Sequence, residues 1–371
     1  MKRKIADILL ILFISINLTG CYNYREINKM TFATSVFFDK DEHNEVVLYI
    51  DCVRPYRDAN ESSDKGRRVM YKGRGKTALE AIRDINVSSS NTLNFSQVRA
   101  YIFTEETAKD GVKNYIDLIN NDQQFSFKPY MFTYSGDVKE LLDVAEKDDD
   151  YLGLYLDQLI QKNNKNGKVV RSNVNDYISN TLTGSKNSFM SVIELKNDDI
   201  ENRIELNGKA IIHNNKMLGK LKADVVLTYN ILMKNVREGT FEVPNPYDTG
   251  KFITLDILDE TNNTDIIMDG DKIILNKNIN IKVTIGEIQG SLQVNQEVLD
   301  IIKLEQEAKI KKYEEEFFND YKEKGVDILG VNRLLEVRYP YSYNENFLEN
   351  TVLNSNVNID IDGSSLTRNS L

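Results

Sequence analysis

"QEVLDIIKLEQEAKIKKYEEEFFNDYKEKG", residues Gln296–Gly325, is the stretch on which the reading of the fold turns. Val298, Ile301, Ile302, Ala308, Tyr313, Phe317 and Tyr321 recur at helical spacing through a run otherwise rich in Lys, Glu and Asp. An apolar stripe of that period predicts one amphipathic helix over 296–324, roughly 28 residues and about 40 Å long at the rise of an α-helix. Gly325 is placed to end it, because glycine enters the left-handed conformation of a helix stop without a steric clash. The stripe has to be covered, and packing on the preceding sheet outweighs a coiled coil.

Working outward, the segment from about Glu201 to the helix reads as strands separated by tight turns. Lys209–His213 and Lys216–Leu221 flank Asn214-Asn215, a two-residue hairpin turn. Further β-rich runs are Asp224–Tyr229, Gly239–Val243, Phe252–Leu258, Thr264–Met268, Lys272–Leu275 and Asn280–Glu287, with a turn at Asp269-Gly270. After the helix come Leu334–Arg338 and then Asn356–Asp362 (NVNIDID), whose alternation marks a half-buried strand.

The first half reads differently. Thr31–Phe38 and Glu45–Val53 form a hairpin, and residues 56–75 are a polar, exposed excursion. Thr77-x-x-Glu80 opens a helix as a capping box does, ahead of Ala78, Leu79, Ile82 and Ile85. A strand at Ala100–Phe103, a helix over Glu105–Ile119, a strand at Tyr130–Tyr134 and a helix opened by Asp137-x-x-Glu140 follow. Tyr151–Ile160 is a short amphipathic helix. The fold class is therefore α+β and multi-domain, with mixed or antiparallel sheets and packed helices. The chain divides into a signal segment 1–20, an N-terminal α+β region 21–200 with room for two subdomains, and a C-terminal α+β domain 201–371 that holds the long helix.

Composition narrows the function. The chain has 371 residues, 41% hydrophobic and 28% charged, with a formal charge of −10. An acidic surface repels phosphate backbones, so nucleic acid is not an expected partner. Catalysis is unsupported. The two histidines, His43 and His213, have no companion His or Cys nearby, and no nucleophile elbow occurs. Gly75-Lys76-Thr77 fails as a phosphate loop, since Met70 stands where a glycine is required. Lys147–Asp150 (KDDD) reads as a solvated helix end. Asn358-x-Asp360-x-Asp362-Gly363 opens like a calcium loop, but Asn369 occupies the position of the bidentate Glu. No cofactor, metal or catalytic residue is expected.

The N-terminus carries the sharper signal. Met1-Lys2-Arg3-Lys4 is basic, and Ile5–Asn17 is an apolar run shorter than the roughly 20 residues a membrane span needs. Leu18-Thr19-Gly20-Cys21 then resembles the bacterial lipobox, in which the cysteine is S-diacylglycerylated, becomes the mature N-terminus and is N-acylated. Cys21 is accordingly the one candidate site residue, a lipid tether for a water-soluble body. The other cysteine, Cys52, lies in a predicted strand, where a lone thiol is usually a small buried apolar group.

Cys21-Tyr22-Asn23-Tyr24-Arg25-Glu26-Ile27 resembles the mature start of the Ger(x)C family, lipoprotein subunits of spore germinant receptors. The likeness continues through Phe38-Asp39-Lys40, Gly75–Ile82 (GKTALEAI), Phe95–Phe103 (FSQVRAYIF) and Glu105–Gly111 (EETAKDG). It reappears at Asp327-Ile328-Leu329-Gly330 and Arg338-Tyr339-Pro340. The departures are aromatic: Tyr22 replaces the family's Trp, and the chain contains no Trp. The resemblance implies three α+β domains and a non-enzymatic subunit on the outer face of the spore inner membrane. Its partners would be a multi-spanning A-type subunit and a permease-like B-type subunit. From the residues alone, a lipid-anchored solute-binding protein of a transporter is the alternative, and a surface enzyme comes third.

Overall fold

The computed structural model describes residues 27–54, 67–147, 151–163, 166–182, 186–197, 201–233, 236–341 and 345–364. The apolar runs after residue 30 become β1 (Met30–Lys40) and β2 (Val46–Arg54), antiparallel with Val36 opposite Ile50. Part of the expected excursion 56–75 is also a strand. Residues 67–75 form β3 (Arg67–Gly75), antiparallel to β2, while 55–66 lie outside the described residues. Its glycines look like loop residues but serve packing: a Cβ at Gly73 would sit 2.2 Å from the Ala81 carbonyl oxygen of α1 (Ala78–Ser88). That helix starts as expected, with Thr77 Oγ1 accepting from the Glu80 N–H at 3.2 Å.

β4 (Thr92–Asn94), β5 (Ala100–Thr104), β6 (Tyr130–Tyr134) and β7 (Asn187–Asn197) follow, then β8 (Asn202–His213) and β9 (Lys216–Leu221). All nine strands form one sheet in the order β3-β2-β1-β5-β6-β7-β8-β9, with β4 also paired to β1. Its centre, β1-β5-β6-β7, is parallel, and antiparallel strands flank it on both sides. The expected helix Glu105–Ile119 is two helices, α2 (Glu105–Asp110) and α3 (Lys113–Asn121), broken at Gly111, whose φ of 140° no helix allows. Then come α4 (Val138–Lys147), α5 (Leu152–Lys162) and α6 (Val174–Thr181). Strand alternation sorts them. Tyr101 and Phe103 face α1, α2, α3 and α6, while Ala100, Ile102 and Phe132 face α4 and α5.

Beyond β9 the expected strand Asp224–Tyr229 is instead α7 (Ala223–Leu232). Val226, Tyr229, Ile231 and Leu232 are all buried, so an all-round apolar sequence conceals the helical period. β10 (Thr240–Pro244), β11 (Phe252–Asp269), β12 (Lys272–Ile288) and β13 (Thr351–Ser364) form a second sheet in that order. The runs 252–258 and 264–268 are one 18-residue strand, and 272–275 and 280–287 one of 17, joined by the turn at Gly270. The polar gaps between those runs hide inside continuous pairing. Leu334–Arg338 falls within α9 (Val331–Arg338), and Asn356–Asp362 within β13, which runs parallel to β12.

The decisive stretch is α8 (Gln296–Glu323). Asn295 caps its start, accepting from the Val298 N–H at 2.9 Å. At its end the Gly325 N–H donates to Lys322 O and the Val326 N–H to Tyr321 O, with Gly325 at φ 69°, which is a Schellman stop. The buried line is Val298, Ile302, Gln306, Ile310, Glu314, Phe317, Phe318 and Tyr321. Ala308 and Tyr313, expected in the stripe, are exposed, and two polar residues stand inside it. These polar residues meet others from the sheet. Ser355 Oγ donates to Glu314 Oε2, and Lys277 Nζ donates to Leu232 O at 2.7 Å and to Thr264 Oγ1 at 2.8 Å.

Candidate functional site

A cavity of about 990 Å³ opens where the far end of the first sheet meets α7 and the α8–α9 connection. Its floor is built by strand pairing. β8 continues the first sheet past β7, and on the face toward the C-terminal core it places Lys209 beside Phe189. The Lys209 Nζ lies 3.2 Å from the centroid of Phe189 and 3.2 Å from that of Tyr229 on α7. Lys209 is 2% exposed, and among the described residues it makes no hydrogen bond or ion pair. Burial pushes its pKa well below the usual lysine range. Two aromatic faces attract an ammonium, but they do not replace the hydration it lost.

Ser172, 4% exposed, lines the same cavity, and its Oγ has no hydrogen-bond partner among the described residues. Three arginines, Arg171, Arg237 and Arg333, stand exposed along the lining. The lining carboxylates are Asp176 and Asp327, and backbone donors already hold both. Asp176 Oδ2 accepts from the Asn173 N–H at 3.1 Å. Asp327 accepts from the N–H groups of Val331 at 2.7 Å and Asn332 at 2.9 Å, and burial pushes its pKa up. The lining therefore sets three arginines and Lys209 against two carboxylates, in a chain of net charge −10.

His213 braces this wall. Its Nδ1 lies 2.7 Å from Asn187 Oδ1, and Asn187 Nδ2 donates to the Asp327 carbonyl at 2.7 Å. In the tautomer that fits, Nδ1–H donates to Asn187, while Nε2 accepts from Asn214 Nδ2 at 2.8 Å. Burial lowers the His213 pKa, and the ring links two connections through Asn187 and Asn214.

The one residue expected as a site from sequence, Cys21, lies outside the described residues. Cys52 is fully buried in β2, and burial pushes its thiol pKa up, so it is an unreactive core group. His43 sits in the β1–β2 turn. Residues 148–150 of the KDDD run and Asn369 also lie outside the described residues, whereas Asn358, Asp360 and Asp362 are outward positions of β13. The structure does bring the quoted motifs together. Thr104 Oγ1 donates to Asp39 Oδ1 at 2.9 Å, and Lys40 Nζ pairs with Asp110, which joins Phe38-Asp39-Lys40 to the Glu105–Gly111 segment. Asp327-Ile328-Leu329-Gly330 is the turn that caps α9, with Gly330 at φ 70°. The Tyr339 hydroxyl accepts from the Met268 N–H at 3.3 Å.

Comparison with known proteins follows the same line of motifs. A family model for the spore germination protein N-terminal domain matches residues 23–195, and one for the spore germination B3/GerAC-like C-terminal domain matches 207–365. The chain belongs to the Ger(x)C family of spore germination proteins. Within the Ger(x)C family, it is 22% identical to spore germination protein GerQC of Bacillus cereus, over 69% of this chain and 68% of that one. It is 20% identical to spore germination protein B3 of Bacillus subtilis, over 75% and 73% of the two chains. The crystal structure of the GerBC protein shares the fold, with a TM-score of 0.57 at 13% identity, over 88% of this chain and 96% of that one. The two family segments meet between Leu195 and Asn207, inside the β7–β8 pair. Lys209, Arg237 and Arg333 lie in the C-terminal segment, Arg171 and Ser172 in the N-terminal one, so the cavity straddles the two.

Proposed function

We propose that this chain is the lipid-anchored C subunit of a nutrient germinant receptor. Lipids on Cys21 hold it to the outer face of the spore inner membrane, and it acts without catalysis, by assembly and signal coupling. Its partners are a multi-spanning A-type subunit and a permease-like B-type subunit. The observation that carries this reading is the order of the parts: the family matches begin at residue 23, two residues after the lipobox cysteine, and end at 365. Among the described residues no helix is long and apolar enough to cross a membrane, so attachment falls to the N-terminal segment. In this reading 21–200 and 201–371 are the two working units of the tethered body.

The test is genetic and chemical. Deleting the gene from its spore former abolishes germination in response to a subset of nutrients, while Cys21→Ala leaves the precursor uncleaved and unlabelled by radioactive palmitate. Spores that answer every germinant normally would sink the receptor role. Undiminished labelling of the Cys21→Ala chain would sink the anchor. Cys52→Ser leaves labelling unchanged.

A further inference from the structure

The cavity floored by Lys209 has no part in the reading above. We propose that it binds a small organic carboxylate, the carboxylate lying against Lys209 and Ser172 and the organic body against Phe189, Tyr229 and Leu334.

Four observations converge on that ligand class. Lys209 is buried without a hydrogen-bonding or anionic partner among the described residues, an arrangement that leaves its ammonium form uncompensated until an anion enters. Ser172 Oγ, in the same lining, is a second buried polar atom without a partner among the described residues. Arg237 and Arg333 form no ion pair among the described residues, and both lining carboxylates are engaged by backbone N–H groups, so the basin attracts anions within an acidic protein. The walls are also partly aromatic and aliphatic, which suits an organic acid better than inorganic phosphate. The volume, about 990 Å³, is ample for such a molecule.

Binding has a proton signature. Burial favours the neutral amine in the empty cavity, and an incoming carboxylate favours the ammonium, so the complex takes up a proton from the buffer. The other titratable or charged groups around the cavity are Tyr130 of β6, Tyr229 of α7, Asp176 of α6, Asp327 of the α8–α9 connection, and the three arginines. The carboxylates of Asp176 and Asp327 are held by backbone N–H donors.

The experiment is calorimetric titration of the full chain, held in detergent micelles, with acetate, butyrate, benzoate, glutarate, the twenty amino acids, the amides of the simple acids, and inorganic phosphate. Two buffers of different ionisation enthalpy report proton uptake. At least one carboxylate binds with proton uptake, and its amide binds about ten-fold more weakly or worse, as a charge-assisted contact requires. Lys209→Met removes the binding while the chain still melts cooperatively. Arg333→Gln, an exposed change, weakens binding severalfold and flattens its salt dependence. The proposal is overturned if no carboxylate binds, if amide or phosphate binds as well as the acid, or if Lys209→Met leaves the affinity unchanged.

Discussion

Arg68 Nε lies 2.7 Å from Asp51 Oδ1, and that carboxylate is completely buried. Its other oxygen accepts the Leu152 N–H at 2.8 Å and the Thr34 hydroxyl at 3.3 Å. One charge on β2 thus ties together β1, β3 and the start of α5. Asp51→Ala removes the anion but leaves Arg68 and the Leu152 N–H behind, so it costs about 3 kcal/mol or more in chemical unfolding, the usual scale for breaking a buried pair. Asp51→Asn keeps an acceptor and costs less. Burial is the largest influence on the Asp51 pKa and raises it, against the pull of Arg68. The wild type therefore loses stability as pH rises from the unfolded carboxylate pKa through the raised folded one, and Asp51→Asn lacks that component.

Lys209→Met stabilises the protein. The methionine fills the same slot between Phe189 and Tyr229 and brings no charge to be desolvated. The lysine pKa is depressed in the fold, so its penalty is present wherever the unfolded lysine is protonated and disappears above the unfolded pKa. Melting temperatures at pH 7 and pH 10.5 check this: the gain is clear at the first and shrinks at the second. A mutant less stable at pH 7 would refute the account.

Glu314→Gln behaves in the opposite pH sense. Burial raises the Glu314 pKa to about 7, with Ser355 and Lys277 opposing, and Lys277 is lowered to about 8. Below the unfolded glutamate pKa the wild type is neutral at this position and matches the glutamine variant. Stability is lost as pH rises from the unfolded glutamate pKa to the folded one at about 7, and by pH 8 the variant leads by about 3 kcal/mol, at 1.4 kcal/mol per pKa unit. Equal unfolding midpoints at pH 8 would contradict it.

Gly153→Ala is destabilising despite the better helix propensity of alanine. A Cβ at Gly153 would stand 1.9 Å from the Thr34 carbonyl oxygen, so α5 must lift off β1. That movement also draws the Leu152 N–H away from Asp51. Overpacking of this kind costs about 2 kcal/mol or more. Hydrogen exchange of the Leu152 amide should quicken along with the fall in unfolding midpoint.

The parts of the fold legible in the sequence are those where period and burial coincide. NVNIDID alternates because β13 has one buried face, and α8 announces its length through its charged outer surface and its caps. α8's buried side was legible in part: Val298, Ile302, Phe317 and Tyr321 are buried as their spacing implies, whereas Gln306 and Glu314 are polar and read as solvent-facing. α7 lost its period by being covered on every side, and β3 was obscured by glycines needed for contact with α1. The cavity left no local trace at all. Lys209 is an ordinary lysine in its strand, and Arg171 and Arg333 are separated by more than a third of the chain, so only the meeting of the two sheets puts them in one wall. The germination family was legible through the order of short motifs, and the structure supplies a reason for two of them: Asp39 and Lys40 are the partners of Thr104 and Asp110.

β13 joins its sheet parallel to β12, over a crossover made of α8 and α9. During synthesis, therefore, the 17-residue edge of β12 stays bare until the last described strand has left the ribosome. A product that stops after α9 presents a long unpaired strand, which is the kind of template that recruits other chains into aggregates. Only a chain that has been read through β13 can close its second sheet.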